Sequence, residues 1–186
     1  TVAAHCVQLS DEDIDILAER GVYAATNPIS NAKLGNGFAR IPDMLDKGVK
    51  LCIGTDSAGS NNTLNMFSDM NFICLAHKGN CRSATAVSAR QALKMATETG
   101  AKALGFDNTG ILKEGYAADL TVMDMKYPSL QPVNDSVAAM CYSASGYEVE
   151  SVMVDGEFLM ENREIKGMDE ERIYFECNKA MKRIDG

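Results

Sequence analysis

The chain has 186 residues, a net charge of −8 and a hydrophobic content of 46%, a composition typical of a folded globular protein and not of a disordered one. The acidic balance, without any Lys/Arg-rich stretch, excludes the electrostatic footprint of nucleic-acid binding. No apolar run approaches the roughly 20 residues that span a bilayer, and the opening residues lack the basic and apolar segments of a secretory leader. We therefore expect a cytoplasmic protein that binds neither nucleic acid nor a membrane.

The six cysteines are scattered and form no Cys-x-x-Cys pair of the kind found in zinc or redox sites. They could pair in principle, but nothing in the sequence supports an oxidising compartment, so reduced thiols packed in the core are expected. The chain also begins without Met, directly in the apolar run Thr1–Ala4. We therefore expect it to be a fragment of a longer polypeptide.

The first part of the chain alternates predicted strands and helices. Three apolar segments are typical of buried strands, at 1–4, 22–25 and 49–53. Ser10, with Asp13 three positions later, forms a capping-box-like helix start, and Gly21 ends that helix. Further helices are predicted at 42–47, 64–78 and 85–104, with loops at 27–40 and 57–62. This alternation indicates βα units around a parallel sheet.

Beyond Asp107 the pattern changes to a small β region. Residues 118–124 and 149–164 are predicted strands, and the second segment is a hairpin that turns at Asp155-Gly156. The last segment, 168–184, has apolar residues on one helical face and is predicted to pack as an amphipathic helix. The residues of that face are Ile173, Cys177, Ala180, Met181 and Ile184.

Two polar residues follow predicted strands, at the sheet edge where parallel folds place their chemistry. His5 follows the first strand, and Asp56 follows the third within a run of small residues that leaves space for a ligand or metal. Each residue has a structural alternative. A lone His is more often a hydrogen-bonded structural residue, and a carboxylate at a strand end also caps the following loop. Position alone leaves both interpretations open.

Three other features are interpreted as structural. The small-residue segment 54–62 could cradle a phosphate, but it lacks the Gly-Lys-Ser/Thr ending of a P-loop and the dinucleotide spacing. His77 lies beside Lys78 near a predicted helix end, where a solvated cation suits the helix dipole. The methionines fall mostly at apolar helix positions and are typical of core fillers.

Several motifs, in their order and spacing, resemble the amidohydrolase superfamily. They are AHCVQLS (4–10), NPISNAKL (27–34), GTDSAGSNN (54–62), ATETGAKALG (96–105) and GILKEGYAADL (110–120). More narrowly, they resemble the branch that contains 5-methylthioadenosine/S-adenosylhomocysteine deaminases, N-ethylammeline chlorohydrolase and the triazine hydrolases. The resemblance covers nearly the whole chain up to Lys166, and several motifs in order are more specific than any one alone.

The resemblance implies an α/β fold, namely the C-terminal portion of a (β/α)8 TIM-like barrel followed by a small β-sandwich region and a C-terminal helix. The last βα units would occupy 1–107, the β region 108–166 and the helix 167–186. Asp56 would follow the eighth barrel strand, ligate the metal and accept a proton from its water. His5 would follow the sixth strand and hydrogen-bond the water or the leaving group. Both residues would therefore be catalytic.

The chemistry implied by the resemblance is hydrolysis at a ring carbon. A bound Zn²⁺ or Fe²⁺ would lower the pKa of water, so that hydroxide attacks the carbon bearing an amino or chloro group. Ammonia or chloride would leave. The substrate would be a small heteroaromatic molecule, such as an adenosine-like nucleoside, guanine or a triazine, and no residue is assigned to binding it.

The chain departs from this branch at several positions. The first strand of the branch supplies a His-x-His pair and the fifth strand a further His, with a nearby Glu as proton shuttle, and none of these has a counterpart here. The chain has only His5 and His77, and Asp56 with at most one imidazole falls short of the three protein ligands of a catalytic zinc site. Thr26 also stands where many members have His before Asn-Pro or Cys-Pro. We therefore expect the fragment alone to hold no metal and to be inactive.

Two hypotheses follow. In the first, the complete polypeptide is a metal-dependent hydrolase and this chain is its C-terminal part. In the second, the fragment is catalytically silent and acts only as a structural or interaction piece that needs an N-terminal half to form a site. Measuring the metal content separates these two hypotheses. In either case, a three-unit slice of a barrel leaves strand edges uncovered, and exposed edges recruit other chains, so a homo-oligomer is expected.

Overall fold

The structure is a computed structural model that describes residues 1–184. By their contacts, these residues form two compact units. The first unit comprises Thr1–Ala117 and Asp124–Glu148, and the second comprises Ala118–Met123 and the chain from Val149 onward. The division of the sequence into 1–107, 108–166 and 167–186 stays a prediction, and the last two residues of that division lie outside the described part.

The first unit is built on a parallel sheet of three strands. In spatial order they are β1 (Val2–Ala4), β2 (Tyr23–Thr26) and β3 (Lys50–Ile53). Ala24 of the central strand lies opposite Ala3 on one side and Leu51 on the other. The three predicted strands and their parallel arrangement are confirmed.

Helices connect these strands and cover them. α1 (Asp11–Glu19) begins after the predicted cap Ser10, whose hydroxyl accepts from the Asp13 N–H at 3.1 Å, while the Asp13 carboxylate accepts from the Ser10 N–H at 2.9 Å. The helices that follow are α2 (Pro28–Lys33), α3 (Ile41–Asp46), α4 (Ala58–Asn61), α5 (Met66–Cys81), α6 (Ala89–Ala96), α7 (Glu98–Ala103), a 3₁₀ turn at Pro128–Leu130 and α8 (Ser136–Tyr142). Across residues 1–184, no helix is long and apolar enough to span a bilayer.

Three secondary-structure predictions for this unit are wrong, and one of them is the loop at 57–62, where α4 (Ala58–Asn61) forms. The sequence pattern predicts a loop at 27–40, but α2 begins there at Pro28, whose ring suits the first turn of a helix. The pattern misses this helix because it buries the polar residues Ser30 and Asn31 instead of an apolar stripe. The single helix predicted at 85–104 is two helices, α6 and α7, which break at Thr97, where φ is −120° and ψ is −90°.

The core of the first unit is apolar and joins the sheet to its helices. Cys74 of α5 and Cys141 of α8 are both buried in it as free thiols, with 3.6 Å between their sulfur atoms. Other buried members of this core are Ile14, Ala24, Ile41, Met44, Leu51, Ile73, Val87, Ala92 and Met95. The two thiols behave as small hydrophobic groups that hold α8 against α5.

His77 belongs to the buried side of α5. Only 4% of it is exposed, so the solvated helix end predicted for it is wrong. Its ring lies edge-on to that of Phe38, with 6.1 Å between the ring centroids. Burial lowers the pKa of His77, which favours the neutral imidazole.

The second unit contains one antiparallel sheet within the described residues. Its strands, in spatial order, are β4 (Leu120–Met123), β5 (Val149–Val154), β6 (Glu157–Glu161) and β7 (Glu164–Ile165). The hairpin predicted to turn at Asp155-Gly156 joins β5 to β6. The predicted terminal helix is confirmed as α9 (Glu170–Ile184). All of its residues are exposed, so the packing predicted for its apolar face is wrong within the described residues.

Glu148 is a fully buried carboxylate, 0% exposed, that organises the end of the first unit. The Ser129 hydroxyl donates to one carboxylate oxygen at 2.6 Å, and the N–H groups of Ser145 and Gly146 donate to the other at 2.9 and 3.0 Å. Desolvation raises the pKa of Glu148, but these hydrogen bonds outweigh it and lower the pKa to about 2. The charged form of Glu148 therefore stabilises the fold.

Replacing this carboxylate should change how stability depends on pH. Because the pKa of Glu148 in the folded state is about 2, below its ordinary value of 4.5, its contribution is complete above pH 4.5 and is lost as the pH falls towards 2. We expect Glu148→Gln to lower the free energy of unfolding at neutral pH, and the gap from the parent to shrink over that interval. Urea denaturation at several pH values measures both effects. Glu114→Gln changes an exposed glutamate of the same unit. It should leave the free energy of unfolding unchanged at every pH.

The parallel sheet has two open edges in the described part of the chain. β1 and β3 each pair only with β2, so each presents a row of unpaired backbone groups on its outer side. Val2 of β1 is also 44% exposed. Such edges favour pairing with a second copy.

We expect the chain, at high concentration, to form dimers or larger species that light scattering detects. Val2→Lys should shift the distribution towards smaller species, since a lysine on an edge strand opposes strand pairing. A monodisperse monomer that binds no dye for apolar surfaces would contradict this expectation.

Candidate functional site

The two sequence-predicted site residues lie beyond the carboxyl ends of two strands. His5 directly follows β1, and Asp56 comes three residues after the end of β3. Because the strands are parallel, both positions belong to the same edge of the sheet. His5 is half-buried, whereas Asp56 is exposed.

The backbone is left-handed at both positions. φ is 64° at His5, 52° at Cys6 and 62° at Asp56, a region that costs residues with a side chain roughly 1–3 kcal/mol each. The His5 N–H donates to the Ala25 carbonyl at 2.8 Å, which extends the pairing of β1 with β2 by one residue. His5 is therefore hydrogen-bonded to the sheet at the point where the chain turns away from it.

α2 supplies a hydrogen-bond partner to each candidate. The Ser30 hydroxyl donates to Asp56 Oδ2 at 2.6 Å, and Asn31 Oδ1 lies 2.9 Å from His5 Nδ1. Ser30 and Asn31 are both fully buried. Sequence reasoning missed these two residues, although both fall in the segment 27–34, which resembles the amidohydrolases.

Further donors surround the Asp56 carboxylate. The Ser57 N–H donates to Oδ1 at 2.8 Å. Hydrogen bonds from the Ser30 and Ser60 side chains, then from the Ser57 N–H, lower the pKa of Asp56 below its ordinary value, and His5 adds a smaller effect in the same direction. Asp56 is therefore a charged, exposed carboxylate at neutral pH.

The hydrogen bond to Asn31 selects one tautomer of the neutral His5 ring. With Asn31 Oδ1 as the acceptor, neutral His5 carries its proton on Nδ1. The other ring nitrogen, Nε2, is then a lone-pair acceptor that can take up a proton and return it. The pair of residues thus combines a fixed carboxylate with an oriented imidazole.

Thr26 and Asn27 lie at the carboxyl end of the central strand β2, at the same edge of the sheet as His5 and Asp56. A Cβ atom added at Gly54 would lie 2.9 Å from Asn27 Nδ2, so a larger residue at position 54 would displace that amide. Asn27 is buried, and among the described residues its Oδ1 has no hydrogen-bond partner. Thr26, at the position where many members of the branch have His, is buried as well.

Asp56 fits the role of one metal ligand, since it is charged, exposed and held in place. A catalytic zinc site takes three protein ligands and keeps one open position. Among residues 1–184, no three His, Cys, Asp or Glu side chains converge in a way that could hold a metal ion. The metal-binding role of Asp56 therefore stays a prediction.

Curated relatives of this chain are deaminases. It is 48% identical over 184 residues to the 5-methylthioadenosine/S-adenosylhomocysteine deaminase of Acetivibrio thermocellus, covering 98% of this chain and 43% of that relative. It is 45% identical over 183 residues to the 5'-deoxyadenosine deaminase of Methanosarcina mazei, covering 98% and 42%. The chain thus spans less than half the length of these relatives.

Solved structures show the same fold. An adenosine deaminase from Xanthomonas campestris with bound zinc matches with a TM-score of 0.96 and 34% identity, over 99% of this chain and 42% of that one. Atrazine chlorohydrolase from Arthrobacter aurescens, complexed with zinc, matches with a TM-score of 0.90 and 30% identity, over 96% and 40%. The α/β fold is therefore that of the C-terminal part of amidohydrolase barrel enzymes. The amidohydrolase family pattern itself matches residues 1–159, and the chain belongs to that family.

Proposed function

We propose that this chain is the C-terminal part of a metal-dependent hydrolase that removes an amino or chloro group from a heteroaromatic ring. The observation that carries this proposal is the joint anchoring of Asp56 and His5 by two adjacent residues of α2. Such anchoring is what a site needs in order to hold an acid–base pair in reactive geometry. The membership of the chain in a hydrolase family gives independent support.

The two residues have different roles in this proposal. Asp56 binds the metal through its carboxylate and accepts the proton of the attacking water. His5 hydrogen-bonds that water or the leaving group through Nε2, while its Nδ1 stays bound to Asn31. A bound Zn²⁺ or Fe²⁺ supplies Lewis acidity and lowers the pKa of water towards neutrality. Zinc is favoured because two structurally similar proteins contain it.

Adenosine-like nucleosides are the favoured substrates within the proposed class. The two curated relatives, at 48% and 45% identity, are named as deaminases of such nucleosides. The chlorohydrolase is 30% identical. Guanine and the triazines follow as weaker candidates, with ammonia or chloride as the group that leaves.

A second candidate function is that of a catalytically silent piece that needs an N-terminal half to form a site. The absence of a complete metal ligand set within residues 1–184 favours it. The two candidates are compatible if the missing ligands come from another part of a longer polypeptide. The activity proposed here therefore belongs to that complete polypeptide.

The isolated chain of 186 residues should bind no stoichiometric Zn²⁺ or Fe²⁺ and should release no ammonia from an adenine nucleoside. One carboxylate and one imidazole are too few ligands to retain the ion. Elemental analysis of the purified chain measures this directly. One tightly held metal per chain that is lost on Asp56→Ala would overturn the expectation.

In the complete polypeptide, substitutions of the two residues should separate their roles. Asp56→Asn should lower metal occupancy and abolish turnover together, because the amide is a poorer ligand and cannot take the proton of the water. His5→Ala should keep the metal but lower kcat roughly 10²- to 10⁴-fold, the usual contribution of one positioned acid–base group.

The assay pairs metal content with ammonia release from 5-methylthioadenosine, S-adenosylhomocysteine, guanine and aminotriazines, and with chloride release from chlorotriazines. Asp46→Asn, at an exposed aspartate of α3 away from the sheet edge, is the matched control and should retain both metal and turnover. Full activity in His5→Ala would show that the role assigned to His5 is wrong.

A further inference from the structure

Asp69 is a buried carboxylate whose two oxygens bind the two segments that carry the site. It lies in the first turn of α5 and is 0% exposed. Its Oδ1 accepts from the Ile29 N–H at 3.3 Å, and its Oδ2 accepts from the Asn61 side-chain amide at 3.0 Å. Desolvation raises the pKa of Asp69, against the effect of these two hydrogen bonds. A group this buried is unfavourable unless its partners stay in place.

One of these bonds leads to Asp56. Asn61 Nδ2 donates both to Asp69 and to the Thr55 carbonyl, the latter at 2.7 Å. Thr55 directly precedes Asp56, where the backbone is left-handed. Holding the Thr55 carbonyl therefore fixes the peptide unit from which the Asp56 side chain departs. The amide of Asn61, at the end of α4, therefore ties the Thr55 carbonyl to Asp69 of α5.

The other bond leads to α2. The first N–H groups of a helix have no partner inside the helix, and the Asn27 side chain makes no capping hydrogen bond here. Asp69 reaches across from α5 and accepts from the Ile29 N–H in that first turn. Its negative charge also suits a helix N-terminus. α2 in turn presents the two side chains that bind His5 and Asp56.

We propose that Asp69 is a positioning residue. Through Asn61 and the first turn of α2, it sets the placement of Asp56 and His5, although none of its hydrogen bonds reaches either residue. The effect of Asp69 on turnover rests on the function proposed above, whereas its effect on the local geometry does not. The two can therefore be tested separately.

The decisive variant is Asp69→Asn in the complete polypeptide. Asparagine has a similar shape but replaces one acceptor by an NH₂ group, which opposes either the Ile29 N–H or the Asn61 amide. We expect kcat to fall roughly 10- to 100-fold with a smaller change in KM, and zinc content to fall with it, as for other residues that orient ligands. We also expect faster hydrogen exchange at the Ile29 and Ser57 amides, since the first bonds to Asp69 and the second to Asp56.

Two further variants test the hydrogen-bonding role directly. Asp69→Glu restores a carboxylate and should recover part of the lost kcat and of the exchange protection. Asn61→Ala leaves Asp69 intact but cuts the bond towards Asp56. It should accelerate exchange at Ser57 more than at Ile29, and it serves in place of Asp69→Asn if that variant fails to fold.

Glu148→Gln is the matched control, because Glu148 is equally buried and bonds to none of the site residues. It should lower stability without changing kcat per folded molecule or exchange at Ile29 and Ser57. The proposal is overturned if Asp69→Asn keeps parental exchange at both amides, or if the control accelerates both equally. A parent polypeptide without turnover would refute the proposed function alone, and the exchange comparison would still decide the role of Asp69.

Discussion

Two hydrogen bonds from one short helix hold the candidate site together, and its other features depend on them. Ser30 and Asn31 are adjacent in α2, yet one binds Asp56 beyond β3 and the other binds His5 beyond β1. Because both side chains are buried, leaving either polar group without a partner would cost about 1–3 kcal/mol. The pairing that satisfies this requirement also orients the half-buried His5 and the exposed Asp56, so folding and site geometry are coupled.

The two bonds have the same separation along the chain. Each joins residues 26 positions apart, which is close to the spacing from one βα unit to the next in this sheet. They therefore act as lateral links between neighbouring units, made just above the sheet. A site built this way depends on the position of α2, which joins the two neighbouring units. The strands fix the positions at which His5 and Asp56 leave the sheet edge.

Much of this arrangement could be predicted from the sequence, because strand ends are visible as changes from apolar to polar residues. That signal located His5 and Asp56. The residues that hold His5 and Asp56 in place gave no such signal in the sequence. Ser30 and Asn31 are polar, so periodicity does not mark them as buried, and an acidic residue such as Asp69 in a first helical turn is ordinarily solvated. Their burial arises from contacts between segments far apart in the chain, which a local pattern does not contain.

The path of the chain between the two units has a consequence for dissecting the protein. After Ala117 the backbone enters the second unit, returns for Asp124–Glu148, and then leaves again. The returning stretch carries α8, whose Cys141 packs on Cys74 of α5 in the core. Truncation after Ala117 would therefore strip a packed helix from the first unit, and a protease that nicked the backbone at that point would not release a self-sufficient domain. A minimal version of the first unit has to retain residues 124–148 through a new linker.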